Sequence, residues 1–104
     1  MTQVAAIAKL TAVEGKADDL RAAIDELVAN VTGDEPGTLV YAAAQDTEDP
    51  NAFWFYEFYE SPEAAAAHSS GNALAKAGER MRGLLAGRPE VQRLAPIAAK
   101  GLPL

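Results

Sequence analysis

Cysteine is absent from this chain of 104 residues, and its absence removes several kinds of chemistry at once. Without thiols, the chain cannot form disulfides, thiolate nucleophiles, iron–sulfur clusters or thiolate zinc sites. Histidine is nearly absent as well: His68 is the single imidazole, too few for the multi-histidine sites that hold zinc or non-haem iron. We therefore expect no metal site, and a chemistry based on carboxylates, phenols, one imidazole and one indole.

Positive charge and long apolar runs are also scarce. Nine basic residues stand against fifteen acidic ones, which gives a formal net charge of -6 and disfavours nucleic acid and anionic membranes as partners. No segment approaches the roughly 18 apolar residues of a membrane span, and residues 1–10 lack the pattern of a signal peptide. We expect a single cytoplasmic domain over residues 1–104 that binds neither nucleic acid nor membrane.

Hydrophobic periodicity predicts the element order β-α-β-β-α-β. Alternation over Thr2–Ala12 indicates a strand, and an apolar stripe over Lys16–Val31 indicates a helix that Gly33 closes with a left-handed cap. Leu39–Gln45 and Ala52–Glu60 are two strands joined by a polar turn, so we predict a hairpin.

The second half of this order contains a helical segment and a last strand. Ser61-Pro62-Glu63 is typical of a helix start, and after an interruption at residues 69–72 a second helical piece is predicted over Ala73–Ala86. Glu90–Lys100 is predicted as a strand, and Pro96 restricts it to an edge or a bulge because proline cannot donate to the ladder. The whole order predicts an α+β, ferredoxin-like fold: a four-stranded antiparallel sheet with both helices on one face.

Glycines give two more local predictions. Pro36-Gly37 suits a type II turn between the first helix and the second strand. Gly78 and Gly83 each cost a helix about 1 kcal/mol relative to alanine. They therefore indicate close packing or space beside a cavity.

The predicted sheet carries more apolar surface than two helices can cover. The strands over Thr2–Ala12 and Ala52–Glu60 have apolar residues on both faces, and monomers rarely expose large apolar patches. A second copy, packed face to face through a two-fold axis, would cover the remaining face. The sequence therefore predicts a homodimer through the sheet face, with a monomer that tolerates extra aromatic residues as the alternative.

Six groups of residues, spread over almost the whole chain, form a set that is specific in order and spacing. They are Val4–Leu10, Gly15-Lys16-Ala17-Asp18-Asp19-Leu20, Glu35-Pro36-Gly37 with Leu39 and Tyr41, Asp46 with Asp49-Pro50, Phe55-Tyr56-Glu57, and Ala67-His68. Together they resemble the antibiotic biosynthesis monooxygenase family. Its members include quinol monooxygenases and polyketide-tailoring oxygenases that work as dimeric α+β barrels without metal or flavin, so the resemblance implies an enzyme that needs no cofactor.

Two branches of this family carry residues that the chain lacks. Quinol-oxidising members usually have a second histidine shortly after the first, where this chain has Ser70 and Asn72. The haem-degrading branch has an asparagine in the first strand and a tryptophan on a helix, whereas Thr2–Ala12 contains no asparagine and Trp54 lies in a predicted strand. The resemblance implies a monooxygenase of quinol-like or polycyclic phenolic substrates. A non-catalytic dimeric domain that binds small molecules is the alternative, and haem degradation is a lesser one.

His68 is the first candidate for catalysis. Histidine is the side chain best suited to proton transfer near neutral pH, and His68 is predicted at a helix end, before a loop of small residues that a substrate oxygen can approach. We predict that it acts as a base or orients a phenolate. A surface histidine that caps helix carbonyls is the alternative.

Aromatic side chains supply the candidate binding surface for a small aromatic ligand. The two faces of the Ala52–Glu60 strand carry different sets, and one set is expected to line a pocket while the other meets the partner copy; the sequence does not decide which. We assign substrate binding to Trp54, Tyr56, Phe58, Tyr41 and Asn72.

Glu57 lies among these aromatic residues, where a buried carboxylate needs partners. We predict a structural or proton-relay role for Glu57 and Tyr59. A salt bridge from Glu57 to Arg80, Arg82 or Arg93 across the dimer interface is an equal possibility.

Overall fold

The fold is built on one antiparallel sheet. The computed structural model describes residues 3–104, and its elements are β1 (Val4–Thr11), α1 (Ala17–Asp34), β2 (Thr38–Gln45), β3 (Ala52–Tyr59), α2 (Pro62–Ser69), α3 (Asn72–Arg80) and β4 (Glu90–Leu94). The four strands lie in the order β2-β3-β1-β4, and every neighbouring pair is antiparallel. This confirms the predicted ferredoxin-like α+β fold. Among the helices of residues 3–104, none has the length and apolarity of a membrane span.

The core lies between α1, α3 and one face of the sheet. Helix α1 contributes a stripe at the spacing expected of a buried helix face, and alternate residues of β1 and β3 face it. These buried residues are Leu20, Ile24, Leu27 and Val31 of α1, Ala8 and Leu10 of β1, and Phe53 and Phe55 of β3. Because apolar burial is worth about 25 cal/mol per Å², this layer fixes α1 on the sheet.

Helix α1 continues past Gly33, so the predicted left-handed cap is wrong. Gly33 is absent from the glycines with positive φ, and the N–H of Glu35 still donates to the carbonyl oxygen of Val31 at 3.0 Å. Pro36 explains where the helix ends, since a residue that precedes proline is disfavoured in helical backbone.

Pro36 and Gly37 form the predicted turn, but not in its type II form. The turn is closed by the N–H of Thr38, which donates to the carbonyl oxygen of Glu35 at 3.1 Å. Gly37 lacks the positive φ that a type II turn requires. Its role is a close approach instead: a Cβ at Gly37 would lie 2.7 Å from the Cβ of Ala64 in α2.

This contact predicts opposite effects for two glycine substitutions. Gly37→Ala is expected to destabilise the fold by about 1–3 kcal/mol, because the turn and α2 must separate to admit the methyl group. Gly33→Ala is the matched control: its Cβ would meet nothing within 4 Å, and alanine is expected to stabilise α1 by up to about 1 kcal/mol. Urea denaturation measures both, and equal effects in the same direction would contradict the role given to Gly37.

The last helix and the last strand are both shorter than the sequence predicted. Helix α3 ends at Arg80, not Ala86, because the chain turns through Gly83 at a φ of 80°. The following residues then pair with the end of β1, where the N–H of Ala86 donates to the carbonyl oxygen of Thr11 at 2.7 Å. Strand β4 does lie at an edge, as Pro96 required, but it ends before that proline.

Candidate active site

A cavity of about 370 Å³ lies between the helices and the sheet, beneath α2 and α3. Small residues leave this space: Ala8 forms part of the floor, and a Cβ on Gly78 of α3 would meet nothing within 4 Å. Gly78 therefore borders a cavity, which is one of the two roles that the sequence predicted for it. Most of the lining is apolar, and the polar side chains along it are Tyr41, Glu57, Tyr59, His68, Ser69 and Arg93.

His68 lies at the end of α2 and lines this cavity. It is only 5% exposed, so it is not the surface histidine of the alternative interpretation. Its Nδ1 lies 2.8 Å from Oε1 of Glu35. Among residues 3–104, no hydrogen bond engages Nε2. Nε2 is therefore the ring nitrogen available to a molecule in the cavity.

Two tyrosines flank the imidazole. The ring centroid of Tyr41 lies 5.0 Å from that of His68, and the ring centroid of Tyr59 lies 5.5 Å from it. Burial raises the pKa of both phenols above the ordinary value, and the nearby carboxylate of Glu57 raises each pKa further. Both phenols therefore stay protonated near neutral pH and act as hydrogen-bond donors, not as bases.

Glu57 is buried and takes its hydrogen bond from a phenol. The hydroxyl of Tyr59 donates to its Oε1 at 2.6 Å. Within one copy of the chain, Arg80 and Arg82 pair with other carboxylates on the exposed surface. Arg93 does line the cavity, where its guanidinium donates to the hydroxyl of Ser69 at 3.4 Å.

The remaining aromatic candidates lie on the other face of the sheet. Trp54, Tyr56 and Phe58 alternate with the cavity-lining residues of β3, so they point away from His68. Trp54 packs under the ammonium of Lys9, 5.2 Å from the ring centroid, and its Nε1 donates to Oδ2 of Asp46 at 3.0 Å. The cavity is therefore lined by the other set of β3 side chains, which includes Phe55 and Tyr59. Substrate binding by Trp54, Tyr56 and Phe58 stays a prediction, and it would have to take place on the opposite face of the sheet.

Asn72 is separated from this cavity too. It begins α3 and lines a second, more polar cavity of about 570 Å³. Glu35 also lines that second cavity while its Oε1 contacts His68. The carboxylate of Glu35 therefore lies between the two cavities.

Glu35 is the residue that sequence reasoning missed. It occurs in the quoted Glu35-Pro36-Gly37 group, but only as part of a turn, and 33 positions separate it from His68. The sequence feature that could have drawn attention to Glu35 is its position immediately before a rigid Pro-Gly turn. Nothing in the sequence pairs that acid with the histidine, because the pairing depends on the packing of α2 against the turn.

Comparisons with known proteins agree with this fold. A family model described as antibiotic biosynthesis monooxygenase matches residues 3–80. The structure of a candidate antibiotic biosynthesis monooxygenase from Chloroflexus aurantiacus is similar, with 32% identity over 96% of this chain and 98% of that chain and a TM-score of 0.80. One from Caulobacter crescentus has 26% identity over 93% and 92% of the two chains and a TM-score of 0.86. A protein from Pseudomonas aeruginosa has 26% identity over 94% of this chain and 97% of that chain, with a TM-score of 0.84. A search of curated proteins found no match.

Proposed function

The chain belongs to the antibiotic biosynthesis monooxygenase family, and on that premise we propose that it is a cofactor-independent monooxygenase of quinol-like or polycyclic phenolic molecules. One observation carries the proposal: the single histidine of the chain is buried in the wall of a mostly apolar cavity, with Nδ1 bound and Nε2 available. The cavity volume of about 370 Å³ lies within the range of small-molecule sites.

The proposed reaction uses the substrate itself as the source of electrons. His68 accepts a phenolic proton at Nε2, and the resulting phenolate transfers one electron to dioxygen. The two radicals combine into a carbon–oxygen bond, and the peroxide formed loses water as His68 returns its proton. A dihydroxyarene and dioxygen thus give a hydroxyquinone and water, so that one oxygen atom enters the product and the substrate is oxidised.

The other polar residues have supporting roles in this scheme. Tyr41 stays protonated, and no other residue in 3–104 accepts its hydroxyl hydrogen, so it is a free donor for a substrate oxygen. Glu57 and Tyr59 hydrogen-bond to each other, which favours the structural role among the two that the sequence left open. The apolar remainder of the wall provides the binding surface for aromatic rings.

The test is incorporation of ¹⁸O₂ by purified protein supplied with hydroquinones of one to four rings and no external reductant. We expect one molecule of dioxygen to be consumed for each molecule of product formed, and each product molecule to contain a single labelled oxygen atom. Mass spectrometry of the product and an oxygen electrode measure the two quantities. The control is the same mixture with heat-denatured protein, because hydroquinones also react slowly with dioxygen in solution.

Measurements on the same samples distinguish a monooxygenase from a non-catalytic binding domain. It would bind an aromatic ligand in the cavity, measured by calorimetry, without any increase in dioxygen consumption above the control. That result would replace the proposed monooxygenase activity with ligand binding.

We also propose that the protein acts as a homodimer through the open face of the sheet, the face opposite the helices. Apolar side chains on this face are substantially exposed in one copy: Ile7 at 37%, Trp54 at 40% and Leu94 at 39%. They lie on three neighbouring strands, with Trp54 and Leu94 each a diagonal neighbour of Ile7, so they form a cluster and not isolated exposures. A second copy related by a two-fold axis would cover the same surface on both subunits.

A further inference from the structure

The carboxylate of Glu35 is held in a defined place beside His68. Its side chain is 12% exposed and that of His68 is 6% exposed. Oε1 accepts a hydrogen bond from the hydroxyl of Thr38 at 2.9 Å and lies 2.8 Å from Nδ1 of His68. Oε2 is buried and has no hydrogen-bond partner among residues 3–104.

Two glycines allow this arrangement. Gly37 lets α2 approach the turn that carries Glu35, because any Cβ there would collide with Ala64. Gly71 lets the chain turn directly after α2, the helix that carries His68, because a Cβ there would lie 2.8 Å from the carbonyl oxygen of Ala67. The same Cβ would lie 3.5 Å from Oε2 of Glu35, which is an ordinary contact distance. The close approach of α2 to the turn at Gly37 therefore places the carboxylate of Glu35 against the imidazole.

A buried carboxylate with an unpartnered oxygen is costly to the fold, and the contacts that offset this cost are those of Oε1 with Thr38 and His68. We infer that Glu35 is the positioning residue of His68: it holds the proton of the neutral ring on Nδ1, so that Nε2 presents its lone pair to the cavity. The same carboxylate stabilises the imidazolium that forms when His68 takes a proton from a substrate. The inference rests on the proposed function for its catalytic part, but not for its effect on the tautomer.

The tautomer can be observed directly because the chain has one histidine. In ¹⁵N spectra of the ring nitrogens, we expect the neutral ring of the wild type to carry its proton on Nδ1. In Glu35→Ala we expect a shift toward the Nε2–H form. Thr38→Val, which keeps the carboxylate but removes the hydroxyl that holds it, is expected to shift the tautomer less.

Two further variants serve as controls, one for misfolding of the protein and one for a general effect of removing a negative charge. Glu35→Gln is close in size, so it keeps the packing but replaces the carboxylate with an amide. A mixture of tautomers is expected there. Glu63→Gln removes an exposed acid from the first turn of α2, the helix that carries His68, and is expected to leave the tautomer unchanged. A ring that stays in the Nδ1–H form in both Glu35→Ala and Glu35→Gln would overturn the inference.

The kinetic readout separates positioning from substrate binding. We expect kcat for dioxygen uptake to fall at least about 10-fold in Glu35→Gln with KM nearly unchanged, because the imidazole loses its orientation and the charge that stabilises its protonated form. A rise in KM alone would contradict the positioning role. If the wild type consumes no dioxygen while the tautomer shifts as expected, the proposed function fails but the placement of the proton by Glu35 stands.

Discussion

His68→Gln is expected to lower substrate-dependent dioxygen uptake by about 10²- to 10⁴-fold, the usual contribution of a positioned general base. Glutamine is similar in size to histidine and can fill the buried site, but its amide cannot accept a phenolic proton near neutral pH. Binding of the aromatic ring depends on the apolar walls, so the dissociation constant of a bound ligand is expected to change little. Initial rates in an oxygen electrode and calorimetry on the same samples measure the two effects.

Ser70→Ala is the matched control for this variant. Ser70 caps the same helix two residues later, is exposed, and directs its hydroxyl to the carbonyl oxygen of Ala66. We expect wild-type rates for it. Substantial activity in His68→Gln would assign the base to another group and contradict the mechanism proposed above.

Ile7→Asp is expected to convert the proposed dimer into monomers at micromolar concentration. Ile7 lies on the open face of β1, between the partners Tyr56 on β3 and Gln92 on β4, so a second copy seated on this face would bury it. A two-fold axis places two such aspartates in one interface, where each would lose its water of hydration. The dissociation constant is expected to rise at least about 100-fold, or about 2.8 kcal/mol.

Leu74→Asp provides the comparison for the dimer test. Leu74 is 36% exposed, almost the same as Ile7 at 37%, but it belongs to α3 on the helical side. It is expected to leave the oligomeric state unchanged. Light scattering and sedimentation measure all three proteins, with circular dichroism to verify that each is folded. A wild-type chain that is monomeric at these concentrations would refute the dimer.

Most of the fold could be predicted because its signals are local. The stripe of α1 and the alternation of β1 and β3 each depend on residues that are close in sequence. The serine cap of α2 is likewise local: the hydroxyl of Ser61 accepts from the N–H of Ala64 at 3.1 Å, as expected. The error in the length of the last helix arose where distant residues compete. Helix α3 ends early because the residues after it pair with β1, and no helical pattern contains that information.

The candidate site was predictable only in part, for the same reason. His68 and Tyr41 were singled out by residue type and by the resemblance, and the structure brings them together. Which face of β3 meets them depended on register, since a shift by one residue exchanges the two faces of a strand. Glu35 could not be found, because its contact with His68 depends on how closely α2 approaches the turn at Gly37.

The raised pKa of Tyr41 and Tyr59 has a consequence for the proposed radical reaction. A phenol gives up an electron far more readily once it has lost its proton, and burial makes loss of that proton still less favourable for both of these tyrosines. In the proposed reaction, the bound substrate is the one phenol that meets a base at Nε2, so it is oxidised in preference to the wall around it. In that reaction, the burial that disfavours loss of the phenolic proton is expected to protect both tyrosines from oxidation during repeated turnover.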